Sequence, residues 1–313
     1  MDSQSSDIEG RDLVKAFGDI VAVDHLSFSV RRGEIFGLVG PDGAGKTTTM
    51  RMLAGILPPD SGSVTVAGCD VVANPEAVKS RISYMPQRFG LYEDLTVDEN
   101  IRFYADLFGV MRKARDERAL PLLAACGMSQ FRSRLAGNLS GGMKQKLGLV
   151  CALIHTPQVL LLDEPTNGVD PVSRREFWGM LYGLLGQGVT ILNSTAYLDE
   201  AERCNRLALL NNGRLLLCDE PERLKATMPG AVLSIVSTEA RHLRDELRHA
   251  AGVAGTVLVG DAIHVFVDDG PRRLGEITKR LDAAGIEYHE AAQVPPSIED
   301  LFVSATSTER EAA

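Results

Sequence analysis

The chain has 313 residues, a formal net charge of −9 and a pI of about 5.3, with 44% hydrophobic and 24% charged residues. This length suits about two domains of ordinary globular composition. The acidic balance argues against a nucleic-acid-binding surface. No apolar run approaches the roughly 18 residues of a membrane-spanning helix, and the polar start lacks a signal peptide's apolar core, so we expect neither feature. The five cysteines show no metal or redox spacing, which predicts reduced thiols.

The first predicted elements are two strands, residues 8–17 and 21–30, around a turn at Gly18 and Asp19. Phe17 closes the first strand, where an aromatic ring could stack on a base. A phenylalanine in a strand is more often a core residue. Both interpretations of Phe17 remain open from this pattern alone.

A phosphate-binding loop with the pattern Gly-x-x-x-x-Gly-Lys-Thr follows. An apolar strand at residues 35–39 leads into it, and a helix at 47–54 leads out. Its glycines let backbone N–H groups surround the β- and γ-phosphates, and the helix N-terminus adds partial positive charge. Lys46 is expected to contact the phosphates and the Thr47 hydroxyl to bind Mg²⁺. The predicted nucleotide-binding residues are Gly40, Pro41, Asp42, Gly43, Ala44, Gly45, Lys46, Thr47 and Thr48.

A mainly helical insertion occupies about residues 88–155. A strand at 82–85 precedes it and ends before Gln87, which by itself is an ordinary loop residue. Within the insertion, residues 112–126 predict a helix that Pro121 kinks or splits.

Ser140, Gly141 and Gly142 stand before a helical run late in this insertion. A helix N-terminus exposed by glycines can bind an anion. A simple serine N-cap explains the same pattern equally well. The pattern alone therefore does not decide between an anion site and a structural cap.

Two carboxylates end the next buried strand. Residues 159–162 are apolar, and Asp163 and Glu164 follow them. Acids at the carboxyl end of a parallel strand lie where α/β sheets hold ligands. Asp163 is placed to bind Mg²⁺ or its waters, and Glu164 to accept a proton from an attacking water.

The sequence changes character after residue 226. Its pattern of strands and helices, β-α-β-β-α-β with a last strand at 286–289, predicts a ferredoxin-like module. We therefore expect an α/β P-loop NTPase domain at 1–226 and a small α+β ferredoxin-like C-terminal domain at 227–305. Residues 306–313 are polar and predict a disordered tail.

Taken together, the motifs resemble the ATP-binding subunit of an ABC transporter over residues 8 to about 226. The matching segments are the phosphate loop, the glutamine loop at Gln87, the Leu-Ser-Gly-Gly signature at 139–142, the acid-ended strand at 159–164 and residues 168–170. Other segments look like the multidrug and antibiotic exporter branch, namely Pro41-Asp42, 89–96, 197–202 and 295–302. The likeness is greatest to the first ATPase half of exporter subunits that carry two halves, although only one half is present here.

This resemblance implies a Mg²⁺-dependent ATPase that powers export of a drug or another hydrophobic compound. It implies that Phe17 stacks on adenine and that Ser140, Gly141 and Gly142 close on the γ-phosphate of a second ATPase domain, in a homodimer or heterodimer. Gln87 would contact the metal and pass motion to transmembrane permease subunits. The protein would be peripheral, on the cytoplasmic face of the membrane, and would not bind nucleic acid. The C-terminal domain would support dimerisation or regulation.

The likeness fails at Ala196, where the family has a histidine that contacts the γ-phosphate. Glu164 is retained, so the resemblance predicts ATP binding with weakened hydrolysis. One alternative is a soluble ABC ATPase of translation or DNA repair, which usually has two halves or a long coiled-coil insertion. Another is a regulatory half that binds nucleotide with little hydrolysis, which Ala196 favours and Glu164 disfavours.

Overall fold

The computed structural model describes residues 5–88, 90–248 and 250–312. Residues 1–4, Phe89, His249 and Ala313 lie outside this described part. The chain divides into two compact units, Met1–Glu200 with Cys204–Cys218, and Ala201–Arg203 with Asp219–Ala313. The main boundary falls at residue 218 instead of the predicted 226, because the helix at 221–226 packs on the last helix of the second unit.

The described strands of the first unit form two sheets. They are β1 (Ser6–Phe17), β2 (Ile20–Arg31), β3 (Ile35–Val39), β4 (Ser61–Val66), β5 (Cys69–Asp70), β6 (Ile82–Met85), β7 (Val159–Asp163), β8 (Thr190–Thr195), β9 (Arg206–Asn211) and β10 (Arg214–Asp219). The central sheet has the order β10-β9-β3-β8-β7-β6, and the pairings that join β9, β3, β8, β7 and β6 are parallel. The smaller sheet has the order β2-β1-β4-β5.

The helices of this unit surround the central sheet. They are α1 (Lys46–Leu53), α2 (Pro75–Lys79), α3 (Val97–Leu107), α4 (Arg112–Ala125), α5 (Gly141–Leu153), α6 (Pro171–Leu185) and α7 (Leu198–Ala201). The α4 helix continues through Pro121, so the predicted split does not occur. Pro121 lies on the exposed face, and the buried Ala119 and Leu123 hold the helix on both sides of it.

The central sheet lies between two hydrophobic cores, which is the usual situation for parallel strands. Along β7, Leu160 and Leu162 pack into the core of the helical insertion and α6, while Val159 and Leu161 pack into the core shared with the smaller sheet. Both faces of β7 are therefore buried, which explains why its residues 159–162 are all apolar. The register places the carboxyl ends of β3, β7 and β8 at one edge of the sheet.

The second unit has the predicted ferredoxin-like order. Its described elements are α8 (Pro221–Ala226), β11 (Ala231–Val236), α9 (Ala240–Leu247), β12 (Val253–Val259), β13 (Ala262–Val267), α10 (Gly270–Ala284), β14 (Glu290–Val294) and α11 (Ile298–Ala312). The sheet order is β12-β13-β11-β14, with antiparallel pairing at each step.

Two predictions for this unit are wrong. The last strand occupies 290–294 instead of 286–289, because Ile286 still packs in the core beneath α10 and the chain pairs with β11 only afterwards. Residues 306–312 are helical and continue α11, so the expected disordered tail is not observed in the described part. A capping box begins this helix, since Ser297 N donates to Asp300 Oδ2 at 2.8 Å and Asp300 N donates to Ser297 Oγ at 3.1 Å.

No helix in the described ranges is both long enough and apolar enough to cross a lipid bilayer.

Candidate nucleotide site

The phosphate loop joins β3 to α1 and is pressed against neighbouring main chain. A Cβ atom at Gly40 would lie 2.4 Å from Leu210 O, and one at Gly45 would lie 2.4 Å from Ala22 O. Gly45 also has a φ of 93°, which disfavours any side chain. Only glycine therefore fits at these two positions, and the loop is held closely to β9 and β2.

A cleft of about 600 Å³ opens along this loop. Residues 42–48 line it together with Gln87, Glu164, Asn212 and the first residues of β2. No side chain caps α1, so the N–H groups of its first turn remain for phosphate oxygens. The cleft therefore brings together the predicted phosphate loop, the glutamine and the second carboxylate.

Lys46 is buried at the first position of α1. Its ammonium donates to Gly40 O at 2.7 Å and to Pro41 O at 3.0 Å, and lies 3.0 Å from Glu164 Oε1. An ammonium group has three N–H donors. These three contacts use all three donors, and they hold the ammonium group against the inside of the loop.

Asp163 is buried at the end of β7 and accepts hydrogen bonds at both oxygens. Thr47 Oγ1 and Ser194 Oγ donate to Oδ1 at 3.1 and 2.7 Å, and the Tyr84 hydroxyl donates to Oδ2 at 3.1 Å. Burial and the nearby Asp163 charge raise the pKa of Tyr84. A carboxylate and a hydroxyl at this distance are hard oxygen donors of the kind that Mg²⁺ prefers. The residues present therefore fit the expected metal.

Glu164 lies at the centre of a second set of contacts. Gln87 Nε2 donates to its Oε2 at 2.8 Å, Asn167 Nδ2 lies 3.4 Å from the same oxygen, and Lys46 contacts Oε1. Its backbone has a φ of 50°, in the left-handed region that is uncommon for residues other than glycine. Gln87 and Glu164, which are 77 positions apart in the sequence, are thus neighbours in the folded chain.

The remaining predicted residues do not line the cleft. Ser140 and Gly141 are exposed and Gly142 is buried at the start of α5, where Ser140 Oγ accepts a hydrogen bond from Met143 N at 3.3 Å. The N-cap role of Ser140 is therefore present. Phe17 is 51% exposed at the β1–β2 turn, and Ala196 is exposed directly after β8.

Sequence reasoning missed three polar residues of the site, namely Tyr84, Asn167 and Ser194. Tyr84 and Ser194 contact Asp163 from the strands on either side of β7, and Asn167 follows Glu164 by one turn. Of the three, only Asn167 could have been suggested by the sequence, because it stands three residues after Glu164, the predicted proton acceptor. The other two depend on strand register.

Comparisons with known proteins show which family the chain belongs to. The family model described as "ABC transporter" matches residues 23–167. A probable multidrug ABC transporter ATP-binding protein, YbhF of Escherichia coli strain K12, is 57% identical over 212 residues, which are 68% of this chain and 37% of that protein. The chain thus spans little more than a third of YbhF.

A second relative aligns along nearly its whole length. The Nod factor export ATP-binding protein I of Burkholderia lata is 37% identical over 306 residues, which are 97% of this chain and 98% of that protein. A solved ATP-binding subunit of an ABC transporter has 31% identity and a TM-score of 0.64, covering 70% of this chain and 92% of its own. The chain therefore belongs to the ABC transporter family and contains the ATP-binding domain of that family.

Proposed function

We propose that the protein is a Mg²⁺-dependent ATPase that powers an exporter through separate transmembrane subunits. The observation that carries this proposal is the position of Glu164 in the phosphate-loop cleft, in contact with both Lys46 and Gln87. The relatives named for multidrug transport and for Nod factor export support the export role.

In this function the phosphate loop and Lys46 bind the β- and γ-phosphates of ATP. Because the Lys46 donors are all engaged, a phosphate oxygen takes the place of one of these partners. Thr47 and Asp163 would hold the metal. Bound there, Mg²⁺ would neutralise charge on the transferred phosphoryl group.

Glu164 is the proposed general base for the attacking water. Gln87 and Asn167 hold Oε2, so the carboxylate keeps its orientation when Lys46 turns to the phosphate. Oε1 is then free to accept a proton from water. The lack of an imidazole at Ala196 weakens this site, since no side chain there can hydrogen-bond to the γ-phosphate.

A second ATPase domain would complete the site. Ser140 and Gly141 are exposed and lie outside the lining of the cleft in the same chain. We propose that this signature segment closes on the ATP of a partner ATPase domain. Hydrolysis would remove that contact and open the dimer, as in other phosphate-controlled switches.

An apolar groove of about 300 Å³ is the proposed docking surface for a transmembrane subunit. It is lined in part by Ile56, Tyr84, Leu107 and Phe108, and we call it the apolar groove. Ile56 and Leu107 are 57% and 65% exposed. Large exposed side chains grouped in this way are typical of an interaction site.

A second candidate function is a nucleotide-binding half with little hydrolysis, which Ala196 favours. Steady-state Mg-ATP hydrolysis by the purified chain, beside Glu164→Gln, separates the two. We expect activity above background that the Glu164→Gln variant loses. The chain could instead bind ATP but show no hydrolysis that depends on Glu164, even when a permease partner is present. That result would support the second candidate, a nucleotide-binding half with little hydrolysis.

A further inference from the structure

Tyr84 belongs both to the apolar groove and to the surroundings of Asp163. Tyr84 lies on β6 and is among the residues that line the apolar groove, and its hydroxyl donates to Asp163 Oδ2 at 3.1 Å. The residue is half-buried. Its position in the strand is fixed, because β6 pairs in parallel with β7 and sets Tyr84 beside Leu161.

The contacts of Asp163 show what this hydroxyl does. Thr47 and Ser194 both donate to Oδ1, so these two bonds restrain one oxygen and leave Oδ2 without a partner from these two residues. The bond from Tyr84 restrains Oδ2. Donors from β6, β8 and α1 therefore fix the plane of a carboxylate that is buried to 99%.

We propose that Tyr84 is a positioning residue for Mg²⁺, which orients Asp163 for the metal and does so from the wall of the apolar groove. This inference rests on the proposed function, because it concerns the metal that accompanies ATP. Hydrogen bonds to metal-binding carboxylates typically contribute about 10–100-fold to metal affinity or activity.

The test compares nucleotide binding with and without the metal. The affinity of a fluorescent ribose-labelled ATP is measured in EDTA and again in Mg²⁺, for wild type and for Tyr84→Phe. The substitution keeps the ring and removes only the hydroxyl. We expect the EDTA affinity to stay within about twofold of wild type, and the gain in affinity on adding Mg²⁺ to shrink by about tenfold.

Tyr92→Phe is the matched control. Tyr92 is an exposed tyrosine whose ring packs on Phe103, and its variant should show the wild-type gain from Mg²⁺. An unchanged Mg²⁺ gain in Tyr84→Phe would overturn the inference, as would an equal loss of affinity in EDTA and in Mg²⁺. If wild type itself does not bind the labelled ATP, the proposed function fails instead, so the two failures are distinguishable.

Discussion

Lys46 and Glu164 form an ion pair in the nucleotide cleft, with Nζ and Oε1 3.0 Å apart and side-chain exposures of 4% and 8%. One residue begins the helix after the phosphate loop, and the other follows the acid-ended strand. Buried opposite charges depend on each other, because removing one leaves the other uncompensated. The cation proposed for phosphate binding and the carboxylate proposed for catalysis are therefore energetically coupled.

We expect Lys46→Ala to abolish nucleotide binding. The change removes the cation that a phosphate needs and leaves Glu164 as an unpaired negative charge in the cleft. Fluorescent-ATP titration should show at least about a 100-fold loss of affinity, because the phosphates lose a charged donor worth about 1.5–3 kcal/mol and also face the uncompensated Glu164 carboxylate. Lys279→Ala, an exposed lysine on α10, is the control. Undiminished ATP affinity in Lys46→Ala would contradict the phosphate-loop assignment.

Glu164→Gln should separate binding from hydrolysis. Removing the carboxylate charge frees Lys46 for phosphate, so ATP affinity should rise several-fold. Loss of the general base should lower Mg-ATP turnover by about 10²-fold or more. Both quantities are measured on the same preparation. Weaker ATP binding in this variant would show that Glu164 does not compete with phosphate for Lys46.

Ala196→His should increase hydrolysis. Ala196 is exposed at the end of β8, so an imidazole can be added without disturbing the core. A positioned catalytic group contributes about 10²-fold or more, and the steady-state rate should rise towards that value. Ala73→His, at another exposed alanine, should leave the rate as in wild type. The same rate in Ala196→His and wild type would show that the missing histidine does not limit turnover.

Gly40→Ala should weaken both folding and nucleotide binding. The new methyl group would lie 2.4 Å from the main-chain oxygen of Leu210, so the loop or β9 must move. Overpacking of this kind costs about 1–3 kcal/mol. Thermal melting and ATP titration check the two effects. Gly179→Ala in α6 is the control, because no atom lies within 4 Å of the added methyl group and alanine favours a helix. Equal melting temperatures of Gly40→Ala and wild type would contradict the expected clash.

Asp268→Asn should give a pH-dependent loss of stability. A hydrogen bond from Arg273 Nε to Asp268 Oδ1, at 2.7 Å, and the charge of Arg273 lower the pKa of Asp268 to about 2. Because the pKa of Asp268 is lower in the folded state than in the unfolded state, its ionised form stabilises the fold at any pH above the unfolded-state pKa of about 4. This stabilisation is lost as the pH falls from about 4 towards 2. The difference in melting temperature from wild type should be largest near pH 7 and should narrow below about pH 4. A difference that does not change with pH would refute this role of the ion pair.

Some of the site could be predicted because its chemistry is local. Gly40 to Thr48 form one continuous segment, and Asp163 and Glu164 are adjacent, so a single stretch of sequence contains each group. Their meeting at one edge of the sheet follows from parallel strands. The order of the five elements from β11 to α10 in the C-terminal unit was equally visible, because each of them has a clear pattern.

Other features could not be predicted because they depend on packing. Tyr84 contacts Asp163 across 79 positions in the sequence, and only the register of β6 on β7 creates that contact. The strand at 290–294 contains two alanines and no clear alternation of apolar and polar residues, so its sequence does not predict a strand.

The left-handed backbone of Glu164 is a local strain that its buried side chain helps to maintain. A residue with a side chain in this conformation costs about 1–2 kcal/mol, which glycine would avoid. Glycine at this position would also leave the buried Lys46 without its carboxylate partner, which costs about 3–5 kcal/mol. Charge compensation therefore keeps the strained glutamate in place, independently of any selection for ATP turnover.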